Sequence, residues 1–133
     1  MKYMLDTDTC IYYSRKTSPN VIARVRRYSP GDLVISAVTY GELRFGAEKS
    51  ENPAIALRLL DTFTQAVPVV SLEPQAAEHY GWIRLHLQRK GQIVGNNDLW
   101  IASHCLQLGL TLVTNNDREF RRIPNLTIEN WTN

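Results

Sequence analysis

Acidic residues stand at four separated places along the chain: Asp6, Glu42, Asp98, and the pair Asp117 and Glu119 with the amide of Asn116 beside them. Asp6 and the last group follow stretches with strand character, Glu42 lies within the helix after the second such stretch, and Asp98 begins a helix. In open parallel sheets, sites form at the carboxyl ends of strands. Asp6 directly follows Lys2–Leu5. Helix capping accounts for it equally well there, and Asp8 or Thr9 could cap in its place. Val38, Glu42 and Phe45 lie at i, i+4 and i+7, so Glu42 shares a helix stripe with two apolar residues. A purely structural helix turns Glu to solvent, and this placement calls for a cation. Asp98 repeats the pattern with Ile101, Ala102 and Cys105. It also reads as a favourable charge at a helix N-terminus, although Asn96 and Asn97 already offer capping groups. Asn116, Asp117 and Glu119 follow the last long strand, where a turn with an Asx cap is the plain alternative.

Carboxylates gathered in one pocket repel, which raises their pKa values unless a cation intervenes. Hard oxygen donors favour Mg²⁺ or Mn²⁺ over zinc. Cys10 and Cys105 form no CxxC pair and read as buried thiols. His79, His86 and His104 fall on expected helices and read as structural. Mg²⁺ keeps waters and binds phosphates, so phosphoryl chemistry follows from such a set.

The elements that must position these acids alternate. Strands are expected at Lys2–Leu5, Leu33–Ile35, Val67–Leu72 and Thr111–Thr114, with an edge strand at Leu126–Ile128. Helices are expected at Thr9–Lys16, Pro19–Tyr28, Ser36–Lys49, Pro53–Gln65 and Glu73–Lys90, then from a Gly95-Asn96-Asn97 cap to Leu108, with a short one within Asn115–Arg122. Ile55, Leu59 and Phe63 mark the apolar spacing of the fourth. Strands separated by helices imply right-handed crossovers, hence an α/β fold: a three-layer α/β/α sandwich with a central parallel sheet. Residues 1–133 form one domain without a long linker.

Composition agrees. The chain has 133 residues, 44% hydrophobic, 21% charged and 9% aromatic, which excludes disorder and coiled coil. Its apolar runs are too short to span a membrane or form a signal peptide, so a cytoplasmic protein is expected. The net charge of +2 is unevenly spread: residues 1–30 carry six positive and two negative charges, and residues 31–79 three and seven. Basic clusters at Arg15/Lys16, Arg24/Arg26/Arg27, Arg89/Lys90 and Arg118/Arg121/Arg122 could bind phosphate backbones, or could be ordinary solvated helix faces.

Taken in order, Met4-Leu5-Asp6-Thr7-Asp8, Ile35-Ser36 with Thr39-Tyr40-Gly41-Glu42-Leu43, Gly95 to Ala102, Leu112 to Asn116 with Arg118-Glu119-Phe120, and Ile128 to Trp131 resemble the PIN-domain ribonucleases, specifically the VapC-type toxins of bacterial toxin–antitoxin pairs. The resemblance covers essentially the whole chain. It implies a PIN-like fold and an endoribonuclease dependent on Mg²⁺ or Mn²⁺. Asp6, Glu42 and Asp98 would hold metal, Glu119 and Asn116 would complete the acidic pocket, and Ser36 and Thr114 would be supporting polar groups. Asp8 stands where the family usually has Asn, adding an acid near the metal. Metal-assisted hydrolysis would leave 5′-phosphate and 3′-hydroxyl ends. The resemblance further implies an RNA substrate, with the tRNA anticodon stem-loop leading, a cognate antitoxin and a toxin homodimer. Trp100 is open to base stacking or to core packing.

Two rival readings remain at this stage. Asp6-Thr7-Asp8 also resembles the opening of haloacid-dehalogenase-type phosphatases, but Cys10 stands where their Thr belongs. A non-catalytic RNA-binding module could keep the same fold, since fold alone does not prove chemistry.

Overall fold

A computed structural model describes all 133 residues. Its strands are β1 (Tyr3–Leu5), β2 (Leu33–Ser36), β3 (Val69–Val70), β4 (Thr111–Val113) and β5 (Ile128–Glu129). All pair in parallel, in the order β3-β2-β1-β4-β5. The helices are α1 (Thr7–Ser14), α2 (Pro19–Val25), α3 (Ala37–Glu48), α4 (Pro53–Ala66), α5 (Pro74–Arg89), α6 (Asn96–Leu108) and α7 (Asp117–Phe120).

Alternation along the strands builds the three layers. Met4, Val34 and Leu112 face one core with Ile83 and Leu87 of α5, Leu99, Ile101 and Cys105 of α6, and Phe120 of α7. Their neighbours Leu5, Leu33, Ile35 and Val113 face a second core with Cys10, Val21, Val25, Leu60 and Phe63 from α1, α2 and α4. A sheet buried on both faces must be apolar at successive positions, and β2 is buried at all four.

The strand order reverses at β1. The chain moves outward through β2 and β3, then returns to place β4 on the other side of β1. Such a switch point opens a crevice at the carboxyl ends of the two central strands. Asp6 leaves β1 there and Thr114 leaves β4, joined by a hydrogen bond from the Asp6 N–H to the Val113 carbonyl at 3.0 Å.

Several expectations need correction. Phe45 is 65% exposed, so α3 does not bury the whole Val38–Glu42–Phe45 stripe; the Lys49 ammonium lies over the Phe45 ring. On α4, Ile55 and Leu59 are also exposed while Leu60 and Phe63 carry the packing. Both results follow from α3 and α4 packing on one another at the rim of the sheet, where one side of each helix has no neighbour. Asn96 and Asn97 do not cap α6. They lie inside it, and Gly95 is the N-cap with no side-chain bond. The third strand is shorter than expected because Val67 turns into the core as the residue ending α4. The edge strand lies two residues later than its predicted start, at Ile128–Glu129.

Candidate active site

Asp6 is both a cap and a buried acid. Its Oδ1 accepts from the Thr9 N–H at 2.8 Å, starting α1, and its side chain is nearly inaccessible. Burial raises its pKa from 3.8 to about 6, against the hydrogen bonds from Thr114 and Thr9, which favour the charged form. Thr114 is itself buried and also accepts from the Asn116 N–H at 2.9 Å.

Glu42 reaches the crevice from α3. Its Oε1 accepts from the Thr7 hydroxyl at 2.6 Å, and Thr7 also lies 3.3 Å from the Thr39 hydroxyl. Thr7 is the residue that sequence reasoning passed over. Its signal was its place inside Asp6-Thr7-Asp8: a cap at Asp6 makes Thr7 the first helical residue, beside the acid.

Glu119 is held at both oxygens. Oε1 accepts from the Gly95 N–H at 2.6 Å and Oε2 from the Asn116 side-chain amide at 2.7 Å. Asn116 therefore orients an acid. The uncapped start of α6 gives one of its free N–H groups to an acid from α7, as the partial positive charge of a helix N-terminus favours. A methyl group at Gly95 would lie 3.7 Å from Glu119 Oε1 and 3.8 Å from Asp98 Oδ2, so both carboxylates converge on that backbone.

Asp98 is the centre of the set. Its pKa rises from 3.8 to about 7, first through burial and then through the charges of Glu119, Asp6, Glu42 and Asp8. The charges acting on it most strongly are all acidic. Asp8 itself is exposed in the first turn of α1. The fold thus brings Asp6, Asp8, Glu42, Asp98 and Glu119 into one electrostatic neighbourhood. Ser36 is different: it is fully buried, accepts from the Val38 N–H to cap α3, and lies 2.8 Å from His104 Nδ1.

No three acids close up as a ready-made metal cage. The donor set is nevertheless one that a hard divalent cation suits: carboxylate oxygens, mutually repelling, with no sulfur and no histidine among them. His104 is wholly buried in α6, His86 stacks on Trp82, and His79 is exposed on α5. Cys10 and Cys105 are buried thiols, and burial pushes Cys105 up to about 12.

Residues 3–126 match the PIN domain. The tRNA(fMet)-specific endonuclease VapC of Salmonella typhimurium is 44% identical over 131 residues, covering 98% of each chain. Ribonuclease VapC2 of Haemophilus influenzae is 37% identical, again over 98% of each. Among solved structures, the DNA-bound VapBC of Salmonella typhimurium superposes with a TM-score of 0.93 at 42% identity, covering 98% of each chain. VapBC-1 from nontypeable Haemophilus influenzae gives 0.92 at 40% identity over the full length of both. The chain belongs to the PIN-domain family and, within it, to the VapC ribonucleases. The phosphatase reading is not favoured, and no helix is long and apolar enough to cross a membrane.

Proposed function

We propose that this chain is the toxin of a toxin–antitoxin pair: an endoribonuclease, dependent on Mg²⁺ or Mn²⁺, that cuts tRNA in its anticodon stem-loop and so inhibits translation. One observation carries the reading. The half-buried Asp98 carboxyl is raised to about 7 by burial and by the charges of Glu119, Asp6, Glu42 and Asp8, and a divalent cation bound among these acids would relieve that repulsion.

Asp6, Glu42, Asp98 and Glu119 would hold the metal. Bound among them, Mg²⁺ or Mn²⁺ supplies positive charge for a phosphodiester and lowers the pKa of a water molecule. The chain's own residues set the geometry. Thr9 and Thr114 fix Asp6, Thr7 fixes Glu42, and Gly95 with Asn116 fixes Glu119. Ordered carboxylates need not reorganise when substrate arrives, which is the source of electrostatic catalysis in a preformed site.

An antitoxin partner is supported by two observations. Similar chains crystallise as VapBC complexes. Phe45, Ile55 and Leu59 leave apolar surface uncovered on α3 and α4, which suits a protein partner.

The test is incubation of antitoxin-free protein with total tRNA and Mg²⁺ or Mn²⁺, beside Asp98→Asn and an EDTA control. Discrete metal-dependent cuts in an anticodon loop, absent from both controls, are expected. Intact tRNA, mRNA and rRNA with folded, metal-loaded protein would overturn the reading and leave a non-catalytic RNA-binding module.

A further inference from the structure

A cavity of about 390 Å³ opens on the far side of the loop that carries Gly95. Val94 and Asn96, the residues on either side of Gly95, both line it. Gly95 itself faces Glu119 and Asp98. The cavity and the acidic pocket are therefore separated by one turn of backbone. Arg122 of the segment after α7 donates to the Ile93 carbonyl and holds this loop in place.

The cavity has an apolar floor and a polar rim. Leu87 and Leu99, both buried, form the floor. Arg84, Gln88, Gln92 and Asn96 supply the rim. Arg84 makes no salt bridge; the arginines that do are Arg24, Arg44 and Arg121. Its Nη1 donates instead to the Tyr80 hydroxyl at 2.9 Å, and the Tyr80 hydroxyl lies 2.5 Å from Asn96 Oδ1. Because Tyr80 accepts from Arg84, its own proton goes to Asn96 Oδ1. That choice turns the Asn96 NH₂ away from Tyr80, and this NH₂ has no protein partner. Tyr80 is in turn fixed between Arg84, over one part of its ring at 5.8 Å, and Trp100, stacked at 3.8 Å. Trp100 thus braces Tyr80.

We propose that this cavity is a nucleotide subsite. It takes an unpaired base of the RNA next to the scissile bond, with Arg84 meeting a neighbouring phosphate. Three features select RNA as the occupant. Arg84 is an uncompensated cation beside a pocket whose metal would bind the adjoining phosphodiester. The side-chain amides of Gln88, Gln92 and Asn96 carry the donors and acceptors that read base edges. The apolar floor suits the flat face of one base, and RNA is read sequence-specifically through unstacked bases of loops. The subsite rests on the ribonuclease reading above and adds to it a determinant of which loop nucleotide is placed for cleavage.

The test uses the full chain and three variants: Arg84→Gln, Gln92→Trp, which fills the cavity from an exposed position, and Arg58→Gln, an exposed arginine of α4 away from the cavity, as the charge-matched control. In EDTA, binding of a short single-stranded oligoribonucleotide is followed across a salt series. Loss of one phosphate contact in Arg84→Gln should flatten the slope of log K against log salt by about 0.7. With metal, Arg84→Gln should raise KM about tenfold with little change in kcat, as expected for a charge-assisted contact made before the chemical step. Gln92→Trp should shift the preferred cut position, and Arg58→Gln should do none of this. Should Arg84→Gln and Gln92→Trp match Arg58→Gln in slope, KM and cut position, the subsite is overturned. If Arg84→Gln shows the expected slope change in EDTA but the metal-loaded wild type never cuts, the nuclease reading is overturned instead, so the two failures are separable.

Discussion

Asp98→Asn should make the metal-free protein more stable while abolishing its response to metal. The Asp98 carboxyl is displaced from 3.8 to about 7. At 1.36 kcal/mol for each pH unit, that gap is equivalent to about 4 kcal/mol before screening is considered. Asp98 is only half-buried, and solvent screening brings the usable figure down to about 1–2 kcal/mol. The sign follows from proton binding. Between about pH 4 and pH 7 the folded chain keeps a proton on Asp98 that the unfolded chain has released, so stability falls as pH rises through this window. Asn carries no charge at any pH, so the variant escapes the loss. For a domain of this size, 1–2 kcal/mol corresponds to a rise in Tm of about 3–8 °C above pH 7. The assay is thermal denaturation in EDTA and in excess Mg²⁺, each below pH 5 and above pH 7. Wild type should gain Tm on adding Mg²⁺ mainly above pH 7, where Asp98 is ionised; the variant should gain little at either pH. A variant that melts lower than wild type in EDTA above pH 7 would refute the idea that Asp98 is crowded by like charge.

Three further outcomes follow from the same geometry. Thr7→Val removes the hydroxyl from Glu42 Oε1 and should lower cleavage about tenfold, with Thr7→Ser restoring most of it; equal rates for Val and Ser would show that Thr7 does not position Glu42. Gly95→Ala meets no close contact, so Tm should stay within about 3 °C of wild type. The added methyl faces Glu119 and Asp98, so metal affinity, read by calorimetry, should fall. His104 is buried with its pKa lowered, so the unfolded chain binds a proton that the folded chain refuses once pH drops below about 6.5. Its contribution to stability is present above that pH and lost below it, opposite in sign to Asp98; melting curves of Asp98→Asn against pH should expose this acid-side loss, which His104→Gln should reduce.

The layers of the fold were legible because a two-sided parallel sheet leaves an unmistakable mark: short apolar strands alternating with helices. Asp6 and Asp98 were legible as acids at the carboxyl ends of such units, and the structure brings both to the switch point between β1 and β4. Glu42 was found through a pattern that only half survives. Val38 packs inward but Phe45 does not, because the stripe rule assumes a neighbour along the whole helix and α3 lies at the rim. The same edge effect leaves Ile55 and Leu59 of α4 uncovered. The hydrogen bonds that orient the acids were out of reach. The bond from Thr7 to Glu42 spans 35 positions and that from Gly95 to Glu119 spans 24, and neither side-chain type nor local spacing encodes a partner so distant. The Gly95 bond is made by backbone, which no side-chain motif can reveal. Asn96 and Asn97 show the converse: good capping residues passed over because Gly95 takes the N-cap position and the helix starts at Asn96, leaving the Gly95 N–H for Glu119.

The central claim is that these acids gather a divalent cation to hydrolyse RNA with water, and the chemical ends of the product test it most directly. RNA cut by the metal-loaded protein should carry 5′-phosphate and 3′-hydroxyl termini, and a substrate with the 2′-hydroxyl at the scissile position replaced by hydrogen should still be cut. Products ending in 2′,3′-cyclic phosphate, formed equally well in EDTA, would contradict the account.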